Sequence, residues 1–211
     1  MSRLLPLFPL QLVVFPDEKL NLHIFEPRYK QLINECESDN ITFGIPSYIE
    51  DEVMKVGTEM ELVSIEKKYP NGEMDVRTRG VGIFRMDEYM QVTPGKLYAG
   101  AYIEEIENDM EGDFLLSERV LEKVGTLFDL LNINKAIPEN DENFKIYDIA
   151  HHIGLNLSQE YNLLRIYQEK LRLRFVYDHL EKLIPIVSEM ENLRKRVQMN
   201  GHFKNIKPPK I

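Results

Sequence analysis

LLPLFPLQLVVFP, residues 4–16, followed after three charged positions by LNLHIFEPRY, residues 20–29, decides how the chain folds. Arg3 and the apolar run behind it have two marks of a secretory leader. Pro6, Pro9, Gln11 and Pro16 interrupt the run, however, no small-residue cleavage site follows, and Asp17-Glu18-Lys19 arrives too early. Leu10, Leu12 and Val14 alternate with Gln11 and Val13, and Leu20, Leu22 and Ile24 alternate with Lys19, Asn21 and His23. That period of two predicts a pair of half-buried strands. Phe25-Glu26-Pro27 ends the second, because proline interrupts pairing and suits the first turn of a helix. Tyr29, Leu32, Ile33 and Cys36 then recur at helical spacing as far as Ser38-Asp39-Asn40.

Further out, strands are predicted around Thr42–Tyr48, Thr58–Tyr69, Met74–Met86 and Leu97–Ile106. Pro70-Asn71-Gly72 reads as a hairpin turn, since Asn-Gly tolerates positive φ. Gly80 and Gly82 around Val81 mark a bulge or sharp bend, so the sheet is expected to be antiparallel and curled. From Glu111 the period changes. Leu115, Leu116, Val120, Val124, Leu127, Phe128 and Leu131 predict a helix, and residues 132–143 a polar loop. A short helix over Ile146–Ile153 capped by Gly154, another from Ser158, and a long one over Leu171–Met199 kinked at Pro185 complete an α+β chain. The predicted division is a β subdomain over residues 1–110, a helical subdomain over 111–199 and a basic tail over 200–211.

Composition narrows the function classes. The 211 residues carry 26 Lys and Arg against 35 Asp and Glu, a net charge of −9. The charge is uneven: Asn192–Ile211 holds six bases and no acid, leaving −15 on the rest. An acidic body repels phosphate backbones and anionic lipid. One cysteine, Cys36, forms no intrachain disulfide; it falls on an apolar helix face and reads as a buried structural residue. A reducing, cytoplasmic location is expected. Gly95-Lys96 lacks the rest of a phosphate loop, no G-x-S-x-G or H-E-x-x-H occurs, and the neighbouring His151 and His152 point about 100° apart on a helix. The acidic runs Glu50-Asp51-Glu52 and Glu104-Glu105-Glu107-Asp109 read as solvated. No catalytic residue, cofactor or metal site is expected.

The two opening segments resemble the signature of the Lon protease N-terminal domain family, the substrate-recognition module of ATP-dependent Lon proteases. The likeness continues through Phe43-Gly44-Ile45, Val56-Gly57-Thr58, Gly80 ahead of Ile83-Phe84-Arg85, Tyr98-Ala99-Gly100-Ala101, Leu163-Leu164 and the Leu171–Leu183 helix, over roughly residues 3–188. It departs at Asp17, where the family often has glycine, and in the spacing from Gly80 to Phe84-Arg85. The resemblance implies a PUA-like antiparallel β-barrel with one early helix, then a helical bundle. It further implies a stand-alone, non-catalytic module that binds peptide or unfolded segments of other proteins, alongside a protease or chaperone, with no ATPase or Ser-Lys peptidase activity.

Within this frame Glu26 is expected to accept hydrogen bonds from the helix-start amides, and Arg28 to pair with a carboxylate across the barrel mouth. Phe25, Tyr29 and Phe84 are the candidate protein-binding residues, with core packing as the alternative. Binding is expected at an apolar surface or by strand addition at an open sheet edge. Two other readings stay open. The PUA-like architecture and basic tail allow nucleic-acid binding, against the charge of the body. The stripe Leu180, Leu183, Val187, Met190, Leu193 and Val197 allows self-association or adaptor contacts through the last helix, against packing on its own bundle.

Overall fold

In the computed structural model of the chain, residues 2–141 and 143–203 are described, the last five by backbone alone. The tail bases Lys204, Lys207 and Lys210 lie outside them. The chain is α+β, with elements β1 (Arg3–Leu7), β2 (Lys19–Ile24), α1 (Pro27–Asp39), β3 (Phe43–Ile49), β4 (Glu52–Lys68), β5 (Met74–Met90), β6 (Ala99–Ile106), α2 (Phe114–Leu131), α3 (Leu157–Leu164) and α4 (Glu169–Phe203). Contacts between Cα atoms group residues 1–110 with 150–168 in one compact unit, and 111–149 with α4 in a second.

In the first unit the strands run in the order β2-β5-β4-β3-β1-β6, and β5 also pairs with β6. The ring β5-β4-β3-β1-β6 is therefore closed, with β2 attached outside it. Length makes this arrangement work: β5 gives its first six residues to β2 and its later ones to β6, while β4 runs beside both parts. Closure needs sharp curvature, and the glycines supply it. Glu59 faces Gly82 and Met60 faces Gly80, so Val81 is the extra residue of a bulge at the place Gly80-Val81-Gly82 predicted. The hairpin falls at Tyr69–Glu73, with Gly72 at φ 78°. Phe84 fills the interior, and an added Cβ on Gly44 or Gly57 would stand 2.7 Å from its ring.

Three expectations change. The first strand is Arg3–Leu7, not Leu10–Val14; Val13, Val14 and Phe15 are buried in succession, which no alternating strand allows, and Leu10 makes only an isolated bridge to Ser47. Pro6 interrupts the apolar run yet lies inside β1. Phe8 N–H donates to the Gly44 carbonyl at 2.8 Å, so by alternation the Pro6 nitrogen also faces away from β6 and costs that ladder no bond. Second, the sheet is mixed, because β1 runs parallel to β3. Third, the short helix over 146–153 is two 3₁₀ turns, Ile146–Asp148 and Ala150–His152, with Gly154 in the expected left-handed position.

The second unit packs α2 against α4. Asp113 caps α2 by accepting from Leu116 N–H at 3.0 Å. At the start of α4, Glu169 and Arg172 are buried together, 2.7 Å apart, and Glu169 also accepts from Ile146 N–H at 2.7 Å. The expected stripe divides. Leu180 is buried and Leu183 and Val187 are half-buried, whereas Met190, Leu193 and Val197 are exposed.

Candidate functional site

Among the described residues, the outer edge of β2 is one place where the first unit leaves sheet hydrogen bonding unused. Gly80 N–H donates to the Glu18 carbonyl at 2.9 Å, and Asp17 N–H donates to the Gly80 carbonyl at 3.0 Å. Asp17, at φ 64°, thus takes the left-handed position of a bulge that glycine usually fills. From that anchor the antiparallel alternation turns the main-chain groups of Leu20, Leu22 and Ile24 toward β5, and those of Lys19, Asn21 and His23 outward. Thr78 Oγ1 also donates to the Leu20 carbonyl, at 2.9 Å, which agrees with that phase. Lys19, Asn21 and His23 are exposed, and among the described strands β2 pairs with β5 alone.

Aromatic and polar side chains gather at the end of this edge. Phe25 is 58% exposed, and its ring lies 6.2 Å from that of His23, which also meets the Tyr69 ring at 5.9 Å in a T-shaped arrangement. Asp75 joins the two, 2.7 Å from His23 Nδ1 and accepting from the Tyr69 hydroxyl at 2.7 Å. Glu73 stands 3.4 Å from His23 Nε2, and the Lys67 ammonium lies 4.3 Å over the Tyr69 ring. The hydrogen bond to Asp75 holds the His23 pKa above the ordinary imidazole value, and the same bond draws Asp75 below the usual carboxylate range. Beside the cluster, Asn21, Leu22, His23, Glu66, Asp75, Val76 and Arg77 line a shallow hollow of about 460 Å³.

The three aromatic candidates separate. Phe25 is on the surface. Tyr29 is 6% exposed and stacks on Phe8 with centroids 3.6 Å apart, and Phe84 is fully buried, so both have their faces spent on the core. The expected roles of Glu26 and Arg28 are corrected as well. Glu26 stands at the N-cap without a side-chain cap bond, and Arg28 reaches back to it at 2.9 Å while lying 4.5 Å over the Tyr29 ring. The two charges are only two positions apart, so the pair is local and does not reach across the barrel. His23, Tyr69 and Asp75 escaped sequence reasoning; their one signal is that Tyr69 and Asp75 flank the predicted hairpin.

Other polar groups of this unit serve packing. Cys36 is buried, and burial, with Glu35 and Asp39 nearby, pushes its thiol up to about 12. His151 lies 2.8 Å from Glu160 and 3.1 Å from Glu18, its ring 4.9 Å from Phe15. Among the described residues no three His, Cys, Asp or Glu side chains are grouped to hold a metal, and no helix is long and apolar enough to cross a membrane.

Comparison with known proteins agrees with this architecture. The model of the family described as ATP-dependent protease La (LON) substrate-binding domain matches residues 4–182. The Lon N-terminal domain protein from Xanthomonas campestris superimposes with a TM-score of 0.60 at 22% identity, covering 82% of this chain and 95% of that one. The N-terminal domain of the Mycobacterium avium complex Lon protease gives a TM-score of 0.63 at 14% identity, covering 86% of this chain and 100% of that one. No curated protein matches the sequence.

Proposed function

From the premise that the chain belongs to the ATP-dependent protease La (LON) substrate-binding domain family, we propose that it is a non-catalytic protein-recognition module that takes extended or unfolded segments of other proteins as an added strand on β2. The observation that carries this reading is the unused edge Lys19–His23 ending at exposed Phe25. Main-chain pairing at such an edge gives affinity with little dependence on sequence, and an aromatic beside it adds a preference for apolar residues. Sequence tolerance of that kind suits recognition of unfolded clients. Residues 20 and 22 are half-buried against the core, so the edge is backed by packed side chains and does not need to order on binding.

The test is a fluorescence-anisotropy titration of labelled extended apolar peptides with the full chain, using a folded protein as control. Saturable binding of the peptides, competed by an unfolded protein and not by the folded one, is the expected result. Equal binding to both, or to neither, overturns the reading.

A further inference from the structure

α4 carries a second apolar face that its own bundle does not use. Ile186, Met190, Leu193 and Val197 are each more than half exposed, and they are separated by four, three and four residues. At 3.6 residues per turn they fall in one narrow stripe. The half-buried positions of the same stretch, Ile184, Val187, Ser188 and Glu191, centre about 140° around the helix from it. Spacing of four and three is that of the inward positions of a coiled coil, with Leu193 and Ile186 in one class and Met190 and Val197 in the other.

The charges beside the stripe identify what covers it. Exposed Glu189 flanks it on one side and exposed Arg194 on the other, at the two positions that face each other across a parallel coiled coil. Among the described residues the ion pair of Arg194 is a loose surface one, 3.4 Å from Glu191. One helix therefore holds both halves of a complementary pair. A twofold axis sets Glu189 of each copy against the partner's Arg194, giving two equivalent ion pairs around four apolar layers. We propose that this face binds a second copy of the same chain, making a parallel homodimer through residues 186–197. Four layers make a short seam, so association is weak and depends on concentration.

Sedimentation equilibrium of the full chain between about 1 µM and 1 mM, a range spanning weak to moderate affinities, tests this. The mass is expected to rise with concentration from that of one 24.8 kDa chain to that of two. Leu193→Asp is expected to remain a single chain throughout with an unchanged thermal melt. Glu189→Arg is expected to weaken association at least tenfold, and adding Arg194→Glu to restore it. A wild-type chain that stays single over the range overturns the proposal, as does a dimer untouched by Leu193→Asp, or a double charge variant as weak as the single one.

Discussion

Phe84 and Phe25 sit in one compact unit and meet opposite surroundings. Around Phe84 the chain gives up side chains to make room: Gly44 and Gly57 press against the ring, and a Cβ on Gly57 would also stand 2.7 Å from the Ile45 carbonyl. Phe25, its ring 6.2 Å from that of exposed His23, stays 58% exposed beside a strand whose outer main-chain groups face away from the sheet. Interior apolar area stabilises the fold, whereas apolar area left beside unpaired main chain gives no such return and is available to a partner. The contrast teaches that, of two aromatics in the stretches resembling one family, Phe84 is spent on the interior while Phe25 is left on the surface, where the proposed recognition would use it.

Substitutions can break that contrast, and the largest effects are expected inside. Phe84→Ala should destabilise the chain by about 3–5 kcal/mol in denaturant unfolding, leaving a cavity under two glycines that cannot fill it. Gly57→Ala should cost about 1–3 kcal/mol, since backbone on one side and a packed ring on the other leave no room to yield. An equal melting temperature for either variant would remove the interior half of the comparison.

Next in size is the His151 clasp. Its hydrogen bond with Glu160, then that with Glu18, outweighs burial and raises the imidazole pKa to about 9. A folded-state pKa above the ordinary 6.5 means that the protonated form contributes stability. That contribution is complete below 6.5 and is lost as pH rises through about 9. His151→Gln should lower stability by on the order of 2 kcal/mol at pH 6, after allowance for solvent screening, and by much less at pH 10. A pH-independent difference between the two proteins would contradict the clasp. Smallest for stability is Phe25→Ser, expected within about 0.5 kcal/mol of wild type, as for exposed sites generally. It should nevertheless weaken peptide binding severalfold, and a variant binding as tightly as wild type would remove Phe25 from the site.

The parts of the fold written in local pattern were legible. Alternation at Leu20, Leu22 and Ile24, the turn at Asn71-Gly72 and the bulge at Gly80-Val81-Gly82 each follow from neighbouring residues, and each appears in place. Asp17 shows how a departure from a family pattern is absorbed: it holds φ 64°, which aspartate tolerates better than most residues, and completes the bulge that sets the phase of β2. The ladder that Pro6 spares was not legible, because the side of a strand on which a missing N–H falls depends on partners fixed only in the folded sheet. The partners of His151 lie 9 and 133 residues away in sequence, a separation at which pattern carries no signal. Of the site, Phe25 and an open edge could be anticipated. The His23–Asp75–Tyr69 cluster could not, because it needs the register of β2 on β5.

The most direct test of strand addition is to remove one outward main-chain donor and leave every side-chain contact of the core intact. Asn21 offers it: its N–H faces away from β5, where proline is tolerated in an edge strand. Peptide affinity measured by anisotropy for Asn21→Pro against Asn21→Ala is expected to fall at least tenfold for proline and to stay within twofold of wild type for alanine, with both variants folded by circular dichroism. Equal affinity for the two variants would contradict recognition through the β2 edge.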